Sequence, residues 1–194
     1  MKTEKPIIIG ICGLKGSGKS EVAKRLEIAL SARRVRFASP LKDMLRVLGL
    51  SEDEIEGRLK EAPCDKLCGK TPRHAMLTLG TEWGREMIGP NFWMDAWQRN
   101  ALSHLAAGSN VITEDLRFPN ELDALINAGG IVLRVTRPGV KAGEHESEQH
   151  AKRFSAHIEC YNDGTLDQLI EWVDMELPAR IERFAAIIRA RGDQ

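Results

Sequence analysis

The stretch PIIIGICGLKGSGKS, residues 6–20, restricts the fold of this chain more than any other. PIIIGIC, residues 6–12, is an unbroken apolar run, which reads as a first strand buried on both faces. A glycine-rich loop follows. Residues 18–32 then place Val22, Leu26 and Ala29 or Leu30 on one face of an amphipathic helix. A buried strand, a glycine turn and a helix make a βα unit. Such units return to the same sheet through right-handed crossovers, so few topologies remain open.

The loop matches G-x-x-x-x-G-K-[ST] at Gly13, Gly18, Lys19 and Ser20. Glycine permits backbone angles that a side chain forbids, so successive N–H groups can converge on phosphate oxygens. The helix that starts here turns its positive end to the same point. Lys19 would reach the β- and γ-phosphates of a nucleoside triphosphate, and the Ser20 hydroxyl would face Mg²⁺. Lys15 is either a further phosphate contact or a solvated lysine.

Apolar runs alternate with helical patterns along the rest of the chain, which indicates an α/β protein. A short second strand is expected near Val35–Ala38, a third at 110–115 (NVITED), a fourth at 131–136 (IVLRVT) and a fifth at 157–162 (HIECYN). SPLKDMLRVLGL reads as a helix with Ser39 as N-cap and Pro40 in its first turn. Residues 51–70 are charged and broken by Gly57, Pro63 and Gly69, the pattern of helix fragments and mobile loop. Thr71 and Pro72 open a long helix, TPRHAMLTLGTEWGREM, and another covers 92–106. Asn120 is the expected cap of ELDALINA, which Gly129-Gly130 stops. Residues 137–150 look like a polar flap. Thr165 starts a C-terminal helix that Pro178 divides, and its apolar residues Ile181, Phe184, Ala185 and Ile188 are expected to cover the sheet rather than meet a second subunit.

A phosphate-binding loop alone does not choose among kinase, ATPase, GTPase and motor. The third strand ends in Glu114-Asp115-Leu116-Arg117, and ligands of parallel sheets lie beyond the carboxyl ends of the strands. Asp115 would therefore lie near Mg²⁺, and Arg117 where an acceptor phosphate can be clamped. Lys42, Arg73, Arg85 and Arg137 follow strands or open helices around the same rim, and Thr81 precedes Arg85 by one helical turn. Trp83, Phe92, Trp93 and Trp97 either stack on a base or pack the helical region. A guanine-reading N-K-x-D and a nucleophilic Ser–His or Cys–His set are both missing from the sequence. A phosphate acceptor needs neither, because its oxygens are already anionic at neutral pH. A hydroxyl acceptor would want a carboxylate base, for which Asp115 is the candidate.

Composition sets outer limits. The 194 residues suit one domain, and 28 basic residues balance 28 acidic ones. That balance argues against a bulk electrostatic grip on a nucleic acid polymer or an anionic membrane. No run approaches the ~20 apolar residues of a membrane span. A cytoplasmic protein, monomer or homodimer, is the expectation. Of the four cysteines, Cys12 and Cys160 read as small core residues, while Cys64 and Cys68 form a C-x3-C that lacks a second ligand pair.

The blocks FASPLK, TPRHAMLTLGTEWGR, ITEDLRFPNE, RVTRPG and HESE stand in the order seen in phage-type deoxynucleoside monophosphate kinases, which the chain resembles from about residue 7 to about 170. The YNDGTLDQL ending is similar to that of the wider nucleoside monophosphate kinase-like group, dephospho-CoA kinase included. The resemblance implies a three-layer P-loop NTPase fold: a five-stranded parallel sheet with helices on both faces. It also implies a single domain over 1–194, with an acceptor-binding insertion at about 39–108 and a lid at about 137–153. The implied reaction is ATP + dNMP → ADP + dNDP with Mg²⁺, on small-molecule nucleotides.

Carried over by position, Gly13, Leu14, Lys15, Gly16, Ser17, Gly18, Lys19 and Ser20 would bind ATP, and Ser20 and Asp115 would hold Mg²⁺. Lys19, Asp115, Arg117 and Arg137 would act on the reacting phosphates. Lys42, Arg73, Thr81, Trp83, Arg85 and Arg117 would shape the acceptor site. The HESE block, His145 to Glu148, matches the family without a role attached. The lid stretch departs from arginine-rich lids, since 137–150 holds only Arg137 and Lys141 as cations of that kind. Two other readings compete: a P-loop kinase of a hydroxyl acceptor such as dephospho-CoA, and an ATP-binding module that transfers no phosphate.

Overall fold

The computed structural model describes residues 5–143 and 146–192. Its sheet runs in the order β2-β3-β1-β4-β5. The strands are β1 (Ile8–Cys12), β2 (Arg33–Arg34), β3 (Val111–Thr113), β4 (Ile131–Thr136) and β5 (Ile158–Tyr161). Every pairing is parallel, and Ile9 lies opposite Ile112 on one side and Ile131 on the other. The helices are α1 (Lys19–Ala29), α2 (Ser39–Val47), α3 (Glu52–Ile55), α4 (Pro72–Thr78), α5 (Phe92–Ala106), α6 (Pro119–Asn127), α7 (Glu146–Arg153), α8 (Leu166–Met175) and α9 (Leu177–Gly192). The chain forms two compact units, one of residues up to Arg36 and from Gln98 onward, the other Phe37–Trp97. Among the described residues no helix is long and apolar enough to cross a membrane.

Alternation along β1 builds the layers of the larger unit. Ile9 and Ile11 join Val22 and Leu26 of α1, Leu169 and Val173 of α8 and Ile181 of α9 in one core. Gly10 points to the opposite face, where an added Cβ would run into Leu125 of α6. The missing side chain lets α6 lie close against β1. The result is the expected α/β sheet with helices on both faces. Ile181 and Ala185 are buried and Phe184 and Ile188 pack on the same core, so the apolar face of α9 covers the sheet as expected. Cys12 and Cys160 are fully buried, and burial pushes the Cys160 thiol up to about 11.

Four local expectations are corrected. The second strand is Arg33–Arg34 rather than Val35–Ala38. Its edge is set by β3, and Val35 N–H still donates to Ile112 O at 2.9 Å beyond it. Val35 and Phe37 are apolar because they are buried, not because they are strand. In α2, Ser39 is the first helical residue and Ala38 the cap. In α6 the capping is done by Glu121 instead of Asn120: its carboxylate accepts the N–H groups of Arg117 at 2.9 Å and Phe118 at 3.0 Å. The polar flap is in part helix, since α7 covers Glu146–Arg153. Thr71 and Thr165 cap α4 and α8 as read from sequence.

In the smaller unit, Leu45, Leu50 and Ile55 form the core, with Leu67, Ala75 and Met76 against them. Residues 51–70 consist of α3 and two short 3-10 turns, Arg58–Glu61 and Asp65–Leu67. Glu54 ties them together, accepting from Ser51 N–H at 2.6 Å, the Cys64 thiol at 3.2 Å and Lys66 Nζ at 2.8 Å. Those donors, Lys66 foremost, hold its carboxyl down at about 2. Cys68 is exposed. The long helix begins as α4 and then widens into π-helical turns over Leu79–Ile88, where Gly89 N–H reaches five residues back to Gly84 O at 3.0 Å. Trp93 supplies the cause. Its indole N–H donates to Gly80 O at 2.8 Å, and its ring fills the space that a side chain at Gly84 would need.

Candidate active site

β1 delivers the glycine loop to the carboxyl end of the sheet, between β3 and β4. Two of its glycines are fixed by close approach. Gly13 has φ 141° and lies so near the Val135 carbonyl of β4 that a Cβ would overlap it. Gly18, the N-cap of α1, has φ 101°, and a Cβ there would stand 2.6 Å from the Asn162 amide nitrogen. Asn162 is 5% exposed and donates to Ser17 O at 2.9 Å, while its own N–H continues the β5 pairing to Thr136 O at 2.8 Å. The residue that follows β5 therefore clamps the loop from the far side. The Ser17 hydroxyl is buried without a partner. A glycine loop that ends at a helix N-terminus is suited to bind an anion through backbone N–H groups.

Lys19 folds back over the loop, and its Nζ donates to Leu14 O at 2.6 Å. Burial and, after it, the Arg117 guanidinium lower its proton affinity from 10.5 to about 8, against a smaller opposite pull from Glu148. An ammonium taken from water and set beside another cation gains charge-stabilising partners when an anion arrives. Lys15 and Ser20 are exposed, Ser20 in the first turn of α1.

Glu114, Asp115 and Arg117 follow β3. Asp115 is half-buried and Arg117 exposed, its backbone held by Glu121, which is 2% exposed. Ser20 and Asp115 offer hard oxygen donors, a set that suits Mg²⁺, which keeps waters and phosphate oxygens as its other ligands. Arg137 is exposed just beyond β4. Glu148 of α7 accepts from Gly143 N–H at 2.6 Å and Gln149 donates to Gly143 O at 2.9 Å, so the first turns of α7 hold the preceding loop. His145 lies outside the described residues.

The remaining sequence candidates lie in the smaller unit. Lys42 pairs with Glu56 at 2.7 Å, and Arg73 stands 3.5 Å from Glu61. Thr81 is exposed and Arg85 half-buried on the π-helical turns. Trp83 is half-buried, edge-on to Phe92 at 5.4 Å and tilted to Trp93 at 6.0 Å. Trp97 is buried against Phe37 with ring centroids 4.5 Å apart.

Reading the sequence alone missed two features of the rim. One is Asn162, whose signal was the polar residue at the end of an otherwise strand-like HIECYN. The other is Glu114, 7% exposed, which binds Arg34 and, at 2.6 Å, Arg36 Nε. Its signal was the alternation R-V-R at 34–36, which puts both arginines on one side of an extended chain.

Comparison with known proteins gives the family of the chain. Residues 69–173 match the model of the deoxynucleotide monophosphate kinase family. A protein of Acanthamoeba polyphaga mimivirus, provisionally named a deoxynucleotide monophosphate kinase, is 30% identical over 188 residues, covering 87% of this chain and 96% of that protein. An uncharacterized protein, ORF77, of Ictalurid herpesvirus 1 is 26% identical over 91% of this chain and 73% of its own length. Among solved structures, a Mycobacterium tuberculosis APS kinase is 15% identical with a TM-score of 0.47, covering 92% of this chain and 98% of that one. TT1252 from Thermus thermophilus is 20% identical with a TM-score of 0.48, covering 91% and 98%. A family model that spans α4, α5, the end of β3 and the NDGTL segment, together with a relative matched along nearly its whole length, makes this chain a member of the deoxynucleotide monophosphate kinase family.

Proposed function

We propose that this nucleotide kinase transfers the γ-phosphoryl group of ATP to the phosphate of a deoxynucleoside monophosphate, giving ADP and a deoxynucleoside diphosphate. One observation carries the reading: a desolvated Lys19 on the glycine loop stands in the field of Arg117 from the neighbouring strand end. One cation serves the donor phosphates and the other the acceptor phosphate, and both occupy the same rim of the larger unit.

The loop from Gly13 to Ser20 binds the phosphates of ATP through backbone N–H groups, and Lys19 neutralises the β- and γ-oxygens. Ser20 and Asp115 would hold Mg²⁺, which, when bound, would supply further neutralisation of the phosphate charge. Arg117 orients the acceptor phosphate, whose anionic oxygen attacks in line, so no general base is required. Arg137 and the 137–153 segment act as the lid. Lys42, Arg73, Thr81, Trp83 and Arg85 belong to the unit that receives the acceptor nucleoside.

The test is ADP production from Mg-ATP with dTMP, dGMP, dCMP, dAMP, their ribose forms and dephospho-CoA in parallel. Stimulation by one or more dNMPs is the expected result and also defines the base preference. Stimulation by dephospho-CoA alone would move the acceptor to a hydroxyl and make Asp115 its base. ATP binding without turnover on any acceptor would leave a non-catalytic module.

A further inference from the structure

Glu114 is an expensive residue for a structural site. It is 7% exposed, its Oε2 is buried without a partner, and so is Nε of the Arg34 that binds it. A buried ion pair with unmatched atoms is often less stable than an apolar replacement of the same size, so stability alone does not explain its presence. Geometry offers a reason. Val35, between the two arginines, is fixed to β3 by its N–H on Ile112 O at 2.9 Å and by Thr113 Oγ1 donating to its carbonyl at 2.8 Å. Arg34 and Arg36 therefore leave the β2 edge on one side, and both close on Oε1 of Glu114, with Arg36 Nε at 2.6 Å. Glu27 of α1 adds a second, looser carboxylate 3.7 Å from Arg34.

From these contacts we infer that Arg36, held with Arg34 by Glu114, is a further clamp for the acceptor's phosphate. Glu114 is a positioning residue that keeps the clamp assembled before the nucleotide arrives. Neighbouring strands lie about 4.8 Å apart. β2 is thus two strand spacings from β1, and Arg36 projects from beyond its carboxyl end toward the rim that carries the glycine loop. Glu114 is near enough to Lys19 to act on its charge, which links the clamp to the donor phosphates. Without Glu114 the guanidinium groups of Arg34 and Arg36 would repel one another in the free enzyme and disperse. With it they are preorganised, and an incoming dianion meets fixed donors.

The inference rests on the monophosphate-kinase reading, and the experiment separates the two. Steady-state KM for dNMP and for ATP is measured in wild type, Arg36→Met, Glu114→Gln and Arg33→Met. Binding of the matching deoxynucleoside, which has no phosphate, is measured alongside. Loss of one charge-assisted contact predicts a rise in dNMP KM of about tenfold or more in Arg36→Met. The ATP KM and the deoxynucleoside affinity should stay within about twofold, and Arg36→Lys should restore part of the loss. Glu114→Gln should move the dNMP KM in the same direction, and exposed Arg33→Met should change nothing. Arg36 is partly exposed, so its variants remain informative if the buried Glu114 variant fails to fold. Unchanged dNMP KM in Arg36→Met, or equal loss for dNMP, ATP and deoxynucleoside, overturns the inference. A wild-type protein that turns over no dNMP overturns the functional reading and this inference with it.

Discussion

Replacing Lys19 by Met should change how the stability of the free protein depends on pH. In the fold the proton affinity of Lys19 falls from 10.5 to about 8. Because the folded value is the lower one, the unfolded chain binds more protons between pH ~8 and ~10.5, and stability rises with pH across that window. Full retention of the charge below pH ~8 corresponds to roughly 3 kcal/mol at about 1.4 kcal/mol per unit. Lys19 is partly exposed, so solvent screening reduces this to about 1–2 kcal/mol. The variant loses the bond to Leu14 O at every pH, which is a constant offset. The diagnostic quantity is the difference between wild type and Lys19→Met as pH is raised. From pH ~7 to ~9 wild type should gain about 1 kcal/mol on the variant, or about 2–4 °C in Tm for a chain of this size. Thermal and urea denaturation at several pH values measure it, and groups that do not interact with Lys19 cancel in the comparison. A difference that stays flat, or that moves in favour of the variant, refutes the claim that the loop holds a desolvated ammonium.

Nucleotide binding should recharge the same amine. Titration of ATP or ADP at pH ~8 in buffers of different ionisation enthalpy should therefore show uptake of about half a proton, and no uptake would contradict it. Arg117→Ala should lower turnover and weaken monophosphate binding more than ATP binding; unchanged kinetics would remove Arg117 from the acceptor site. Asn162→Ala removes the bond to Ser17 O and the clamp on Gly18, with an expected loss of about 1–2 kcal/mol of stability and a several-fold rise in the ATP KM. A KM that does not move would mean the loop holds its shape alone. Glu121→Ala strands the N–H groups of Arg117 and Phe118, with an expected loss of about 1–3 kcal/mol by denaturation and lower turnover through Arg117.

Much of the fold was legible because its determinants are local. The strand at 131–136 and the helix at 92–106 match their apolar periods, and Thr71 and Thr165 cap helices through side chains three residues from the N–H they serve. Elements were misread where a distant partner decides. β2 is defined by β3, so Val35 and Phe37 signalled burial rather than strand. The π-helical turns depend on Trp93, whose indole takes the Gly80 carbonyl. No helical period reveals that.

The sequence by itself determined the glycine loop, because the residues that make it, the glycines, Lys19 and Ser20, are adjacent in the chain. It also determined that Asp115 and Arg117 follow a buried strand, since the apolar run NVIT ends at them. Only the tertiary structure decided what surrounds these groups. Asn162 meets Ser17 across 145 positions of chain, and Arg34 meets Glu114 across 80. The proton affinity of Lys19 is likewise set by burial and by Arg117. Desolvation and Coulomb energies depend on distance in space, and parallel strand order brings β2, β3, β1 and β4 to one rim in a sequence of neighbours that the chain order does not contain.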